Sequence, residues 1–273
     1  MPLILRWKES TALPVAGEGL GPDAFATLSI GEVARLSLPV GNGSAEVGDL
    51  FAIEGETGDG RLALEGDLRS VRRIGREMAS GELTIFGDVG PGLGQGMSGG
   101  IMRVHGLVGD SAGAGMRGGM IRIHGSAGNN LGGSLPGARS GMREGVILVD
   151  GNIGHDAGLA MRRGVIAVIG NAGDGLGRAM IAGSIFSFGS VGIGLGSGMK
   201  RGTLALFGDA MPRIGPTFAA SGRDRPPFLT IYLRKLAEWG VPVPEVAFSG
   251  TMRRYNGDRA ERGQGEILVR AGH

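Results

Sequence analysis

Residues 82–100 read ELTIFGDVGPGLGQGMSGG, and this stretch decides the fold. Its first half alternates Leu83 and Ile85 with Glu82 and Thr84, the period-2 pattern of a half-buried strand. Its second half holds most of the seven glycines found in these nineteen residues and looks too poor in side chains to pack alone. The next nineteen residues, 101–119, are IMRVHGLVGDSAGAGMRGG, the same pattern in other residues.

The pattern continues at a fixed step. Glycines close the apolar alternation at Gly66, Gly87, Gly106, Gly125, Gly151, Gly170, Gly189 and Gly208. Five of the seven intervals are nineteen residues; the interval of 26 carries a seven-residue insertion around LPGARSG. Residue pairs Leu83/Ile85, Met102/Val104, Ile121/Ile123, Ile147/Val149, Ile166/Val168 and Leu204/Leu206 form one face, which must point inward. Ten residues past the closing glycine, allowing for the insertion, stand Met97, Met116, Met142, Met161, Met180 and Met199, with Phe218 last and Met78 in the longer first repeat. An unbranched side chain filling one core gap per repeat explains this column better than metal or cofactor binding does.

A short step with one strand per repeat and one stacked internal column predicts an all-β fold, a right-handed parallel β-helix of about eight coils. Eight coils about 4.8 Å apart would form a rod of about 35–40 Å. Glycine would supply positive φ at the corners and permit close approach of neighbouring coils. GLGQG alone suggests a phosphate loop, but a motif recurring every nineteen residues is architecture.

Three segments follow: an N-terminal cap with short helices over 1–60, the repeats over 61–222, and a C-terminal helix and tail over 223–273. In the cap, Pro22 and Asp23 open a short turn and Ser29 to Glu32 form a capping box. Near the other end Leu229, Tyr232, Leu233 and Leu236 mark an amphipathic helix stopped at Gly240. It is expected to pack outside the ladder, over part of the outward apolar face of Val146, Leu148, Val165, Ala167, Ile169, Phe186, Phe188 and Phe207, with a partner protein covering the rest.

Composition excludes several chemistries. The 273 residues include 57 glycines but only 12 prolines and no Gly-X-Y period, so the chain is not collagen-like. There is no cysteine, hence no disulfide, thiolate nucleophile or Cys-ligated metal. A net charge of +2 gives no case for nucleic acid, and no apolar run is long enough to span a membrane. A start too short and too charged for a signal peptide makes a cytoplasmic protein the expectation. Charge is uneven: residues 1–60 carry 3 basic and 9 acidic side chains, the remainder 25 and 17. That asymmetry points to an anionic partner or ligand.

Candidate sites are few. His105, His124 and Asp150 share one register and would make a plausible metal set, yet Arg103 and Arg122 flank them, and Phe86, Ile169, Phe188 and Phe207 continue the column. A polar contact surface is the better reading; His155 and His273 stand apart. Asp67, Asp88, Asn152, Asn171 and Asp209 after the closing glycines read as turn residues bonding the local backbone. No catalytic set emerges. One residue past the methionines come Arg117, Arg143, Arg162 and Lys200, interrupted by Ile181, with Arg163 and Arg201 one further on, a vertical basic edge suited to an anionic chain or an acidic protein surface.

The repeats GDVGPGLGQGMSGG, GNIGHDAGLAMRRG and GNAGDGLGRAMIAG resemble a G-x-x-G-x-G-M/A-x-x-G family. That family includes the C-terminal domain of the glutamate synthase large subunit and the C subunit of formylmethanofuran dehydrogenases. Residues 21–56, GPDAFATLSIGEVARLSLPVGNGSAEVGDLFAIEGE, are similar to the second of these. The resemblance implies a β-helical, non-catalytic subunit of a cytoplasmic one-carbon complex whose other subunits do the chemistry. One such complex is the bacterial formyltransferase/hydrolase, which passes formyl groups from tetrahydromethanopterin to a methanofuran-type carrier and releases formate; the Arg-rich, Lys-poor composition leans toward it. The others are the archaeal molybdenum or tungsten dehydrogenases, and a glutamate-synthase-like spacer is the third alternative. No covalently bound cofactor is implied. The carrier's polyglutamate tail is the anion that the basic edge would take.

Overall fold

The computed structural model of the protein describes residues 2–8, 11 and 13–271. The chain is mostly β. Its strands are β1 (Leu3–Trp7), β2 (Val15–Ala16), β3 (Ser37–Val40), β4 (Gly43–Glu46), β5 (Phe51–Glu54), β6 (Arg61–Glu65), β7 (Val71–Arg72) and β8 (Glu82–Phe86). Then come β9 (Ile101–Val104), β10 (Arg117–Ile123), β11 (Glu144–Val149), β12 (Val165–Val168), β13 (Ser184–Ser187) and β14 (Arg201–Leu206), followed by β15 (Ala219–Asp224), β16 (Met252–Gly257) and β17 (Gln264–Arg270). Among the described residues four α-helices accompany them: α1 (Pro22–Phe25), α2 (Ile30–Ala34), α3 (Val47–Leu50) and α4 (Pro227–Glu238).

Thirteen strands form one sheet in the order β15-β16-β17-β14-β13-β12-β11-β10-β9-β8-β6-β1-β5. The eight repeat strands, β6 and β8 to β14, pair in parallel and in register. The register stacks Leu62, Leu83, Met102, Ile121, Ile147, Ile166, Ile185 and Leu204 in one buried column. Each such side chain contributes about 1.5–3 kcal/mol on burial, so one misregistered repeat would forfeit several of these at once. A second ladder of parallel bridges runs Leu68, Val89, Val108, Ala127, Ile153, Ala172, Val191. The insertion leaves β10 and β11 paired in register from Met120 and Val146 onward.

The methionine column lies where the spacing places it. Met78, Met97, Met116, Met142, Met161, Met180 and Met199 are all fully buried. Each tucks its methyl beneath a glycine of the neighbouring coil. At Gly183, φ is +106° and an added Cβ would stand 2.8 Å from Met161 Cε. The closing glycines serve close approach instead: a Cβ at Gly125 would lie 2.2 Å from the Gly106 carbonyl oxygen, inside any tolerable contact.

Both ends of the ladder extend beyond the eight expected repeats. β1 pairs in parallel with β6, placing Leu3 beside Leu62, and β17 pairs in parallel with β14, placing Ile267 beside Leu204. Spacing does not reveal either strand, because each stands alone, far from the regular step. Residues 252–270, expected as tail, form the antiparallel hairpin β16–β17. At the other end α2 starts with the expected capping box, Ser29 and Glu32 bonding reciprocally, and Leu20, Phe25, Val33 and Leu38 join the core of the first repeats.

α4 packs outside the sheet. Leu229, Leu233 and Leu236 are buried against Leu148, Val165, Ala167, Phe186, Ala205 and Phe207, with Tyr232 on Phe186 at 5.2 Å between ring centroids. Gly240, at φ +80°, follows the helix end. The early repeats keep Phe86 and Leu107 exposed.

The turn residues behave differently from the expectation. Asp67 does bond its own turn, accepting from Arg69 N. Asp88, however, accepts from Leu107 N at 2.8 Å, Asn152 from Asn171 N at 2.8 Å, and Asn171 from Ser190 N at 2.9 Å. These are bonds to the next repeat. With the backbone already bridging at this corner, the short side chain sits closer to the amide above than to its own.

Candidate functional site

Because each methionine is buried, the residue after it emerges on the surface, and Arg117, Arg143, Arg162 and Lys200 are all exposed. The edge is not one uniform column. The structure divides it at Arg143/Arg162 into two clefts. The first, of about 380 Å³, brings Arg117 and Arg143 together with Arg73, Arg76, Glu77, Gln95 and Ser140, under Leu135, Pro136 and Ala138 of the insertion. The second, of about 560 Å³, brings Arg162 and Lys200 together with Arg163, Arg201, Glu261, Arg262 and Gln264, over Ile181 and Ala182.

Several of these residues are not visible as partners in the sequence. Arg73 and Arg76 belong to the first repeat, whose step of 21 shifts them out of register. Arg262 comes from the loop joining β16 to β17, far along the chain. For these three the insertion was the visible signal, since a departure from a strict step marks a place where the surface changes; Arg163 and Arg201 were visible beside Arg162 and Lys200.

The two clefts differ in charge compensation. In the first, Glu18 takes Arg73 at 2.7 Å and Arg76 at 3.3 Å, and Glu77 lies 3.4 Å from Arg76. Part of the acidic N-terminal segment thus neutralises the first repeat. Among the described residues no carboxylate pairs with Arg117 or Arg143. In the second cleft Glu261 is the single acid among five cations, and Arg201 donates to Gln264 at 2.8 Å. The planar guanidinium fork matches the paired oxygens of a carboxylate or phosphate.

Asp258 underlies the hairpin loop. Burial would raise its pKa, but bonds from Gly198 N, Ala260 N and the Thr217 hydroxyl together outweigh that and hold the carboxyl below its ordinary value. The carboxylate thereby ties the loop carrying Arg262 to the Met199 repeat.

The histidine column forms an outward stack. Phe86 and His105 rings lie 4.9 Å apart and nearly parallel, His105 and His124 4.7 Å apart. His124 Nδ1 is 2.9 Å from Asp150, whose other oxygen accepts from Arg122 at 2.5 Å. Arg122, only 8% exposed, also donates to the Gly240 carbonyl, so this pair fastens the end of α4. Desolvation, then His124 and Arg103, lower the His105 pKa. Among the described residues no three His, Asp or Glu side chains gather as a metal set. His155 stands elsewhere, accepting from Asp174 N at 3.0 Å in the turn ladder. His273 lies outside the described residues.

Fold and site together define a glycine-rich β-repeat protein with two basic clefts along one edge. No profile of a known protein family matches the chain. It is, however, similar end to end to a chain in the crystal structure of the formyltransferase/hydrolase complex (FhcABCD) from Methylorubrum extorquens in complex with methylofuran. The TM-score is 0.91 and the identity 34%, covering 98% of this chain and all of that one. It is also 34% identical over 91 residues to the C subunit of tungsten-containing formylmethanofuran dehydrogenase 2 from Methanothermobacter marburgensis. That match covers 32% of this chain and 34% of the relative, so the chain spans about a third of the length of the curated relatives it matches. The C subunit of the molybdenum-containing dehydrogenase 1 from Methanothermobacter thermautotrophicus is 35% identical over 95 residues, 34% of this chain and 24% of that one. The chain belongs to the same family as that chain of the formyltransferase/hydrolase complex, and about a third of it is also shared with the C subunits of formylmethanofuran dehydrogenases. Among the described residues, no helix is long and apolar enough to cross a membrane.

Proposed function

We propose that this chain is the non-catalytic scaffold subunit of a cytoplasmic formyltransferase/hydrolase complex, with formyl transfer and formate release carried out by partner subunits. In this reading the ladder over 61–222 is a right-handed parallel β-helix, held between the cap at 1–60 and the helical segment at 223–273. The basic edge of Arg117, Arg143, Arg162 and Lys200 steers the polyglutamate tail of a methanofuran-type carrier, or seats an acidic subunit. The observation that carries the proposal is the end-to-end similarity to a chain of the FhcABCD complex. The two basic clefts support it, since a polyanion running along the edge would meet Arg117 and Arg143 first and Arg162 and Lys200 next. The curated relatives favour a second reading, the C subunit of a tungsten or molybdenum dehydrogenase.

Charge reversal tests the edge. Arg143→Glu together with Arg162→Glu is expected to reduce carrier retained per assembly, measured by mass spectrometry, or to release a partner subunit on size exclusion. Unchanged carrier content and unchanged assembly would refute both roles. Metal analysis of the purified assembly separates the two complexes, because a molybdenum or tungsten centre would favour the dehydrogenase.

A further inference from the structure

We propose that the cleft beneath the insertion is a discrete binding site for a compact dianion, recognised by Arg117 and Arg143. The argument begins with the insertion itself. Between the Gly87 and Gly208 anchors the step breaks once, and the extra residues fall between Arg117 and Arg143 on the basic edge. The loop they make is anchored at both sides. Asn130 Nδ2 donates to the Ser134 carbonyl at 3.1 Å, Ala138 N donates to the Leu135 carbonyl at 2.9 Å, and Gly141 N donates to Ala160 of the next repeat at 2.8 Å. Leu135, Pro136 and Ala138 then wall one side of the cleft.

Ser140 links the wall to the charge. It is 7% exposed, and its hydroxyl accepts from Arg143 Nε at 3.2 Å. Among the described residues that is the one side-chain hydrogen bond of Arg143, so its Nη1 and Nη2 ends have no protein acceptor. Charge then sets the ligand. Four arginines reach the cleft; Glu18 and Glu77 offset Arg73 and Arg76, leaving the two charges of Arg117 and Arg143. A volume of about 380 Å³ accommodates a small organic dianion with water. Two guanidinium groups, one of them pre-oriented by a buried hydroxyl, suit a dicarboxylate or a phosphoryl group, which present paired oxygens alike. The proposal does not depend on the assembly reading, and its test uses this chain alone.

Full-length protein is titrated calorimetrically with inorganic phosphate and, separately, with glutarate, at constant ionic strength, with acetate as the monoanion control. Saturable one-to-one binding of at least one dianion is expected, and the one that binds identifies the phosphoryl or dicarboxylate source. Arg117→Gln and Arg143→Gln should each weaken it about tenfold or more, as loss of a charge-assisted pair does. Ser140→Ala, which preserves every charge, should weaken it by a smaller factor. Arg162→Gln with Lys200→Gln, in the other cleft, should leave it unchanged. Circular dichroism checks that each variant is folded. No saturable binding of either dianion, or equal weakening by the Arg162/Lys200 variant, would overturn the proposal.

Discussion

Gly183→Ala isolates the packing device that recurs in every repeat. Gly183 has φ +106°, and an added Cβ would stand 2.8 Å from Met161 Cε, 3.2 Å from the Gly164 oxygen and 3.3 Å from the Arg163 carbonyl carbon. The methionine methyl is therefore the one obstacle closer than 3.0 Å. Left-handed backbone costs a side-chain-bearing residue about 1–2 kcal/mol, overpacking adds about 1–3 kcal/mol, and loss of glycine freedom in the unfolded chain returns about 0.4–1 kcal/mol. The single substitution should therefore destabilise by about 1–4.6 kcal/mol. Met161 is fully buried, so Met161→Ala alone should cost about 2–5 kcal/mol through its cavity. Combined, the new methyl enters the space the methionine left, and the pair should be less destabilised than the sum by about 1–2 kcal/mol. Urea unfolding followed by circular dichroism, with all four proteins at one temperature, measures that coupling. Additivity within about 0.5 kcal/mol would refute the idea that glycine is required there by the methionine beneath it.

Three further expectations concern the site and the ladder. Asp150→Ala leaves the nearly buried Arg122 without its carboxylate; it should destabilise by about 2–3 kcal/mol, at the low side for a broken ion pair because Asp150 is partly exposed, and should speed amide exchange at the end of α4. Asn171→Ala removes the acceptor for Ser190 N in the next repeat and should cost about 1 kcal/mol in the same urea assay, whereas a purely local turn bond would leave amide exchange at Ser190 unchanged. His105 should titrate below the ordinary histidine range by NMR; since the unfolded chain then takes up a proton before the folded one, stability should decline as pH falls from about 6.5 toward the folded value, and His105→Gln should flatten that slope.

What the sequence disclosed was what repeats at short range. The nineteen-residue step placed Leu83, Ile121 and Ile166 inward and Met97 to Met199 in one column, because alternation and spacing alone determine which side chains face the core. The covering of Phe186 and Phe207 by α4 was legible for the same reason: an apolar helix stripe and an apolar outer face require each other. β17 was not legible, since the 57 residues between Leu206 and Gln264 interrupt the step and GEILVR carries no closing glycine of its own. Nor was the division of the basic edge. It depends on Arg262 returning through a hairpin and on Arg73 and Arg76 lying beside the insertion, contacts between segments whose spacing says nothing of their meeting. The inter-repeat bonds of Asp88 and Asn171 were not legible either, because turn chemistry is ordinarily local and stacking offered a better-placed amide.

The most direct test of the central claim, that this chain works as a structural subunit of a formyl-handling complex, is native mass spectrometry of the tagged protein isolated gently from its own cells. The account predicts recovery with larger subunits and a polyglutamylated small molecule. Recovery as a clean monomer with neither would contradict it.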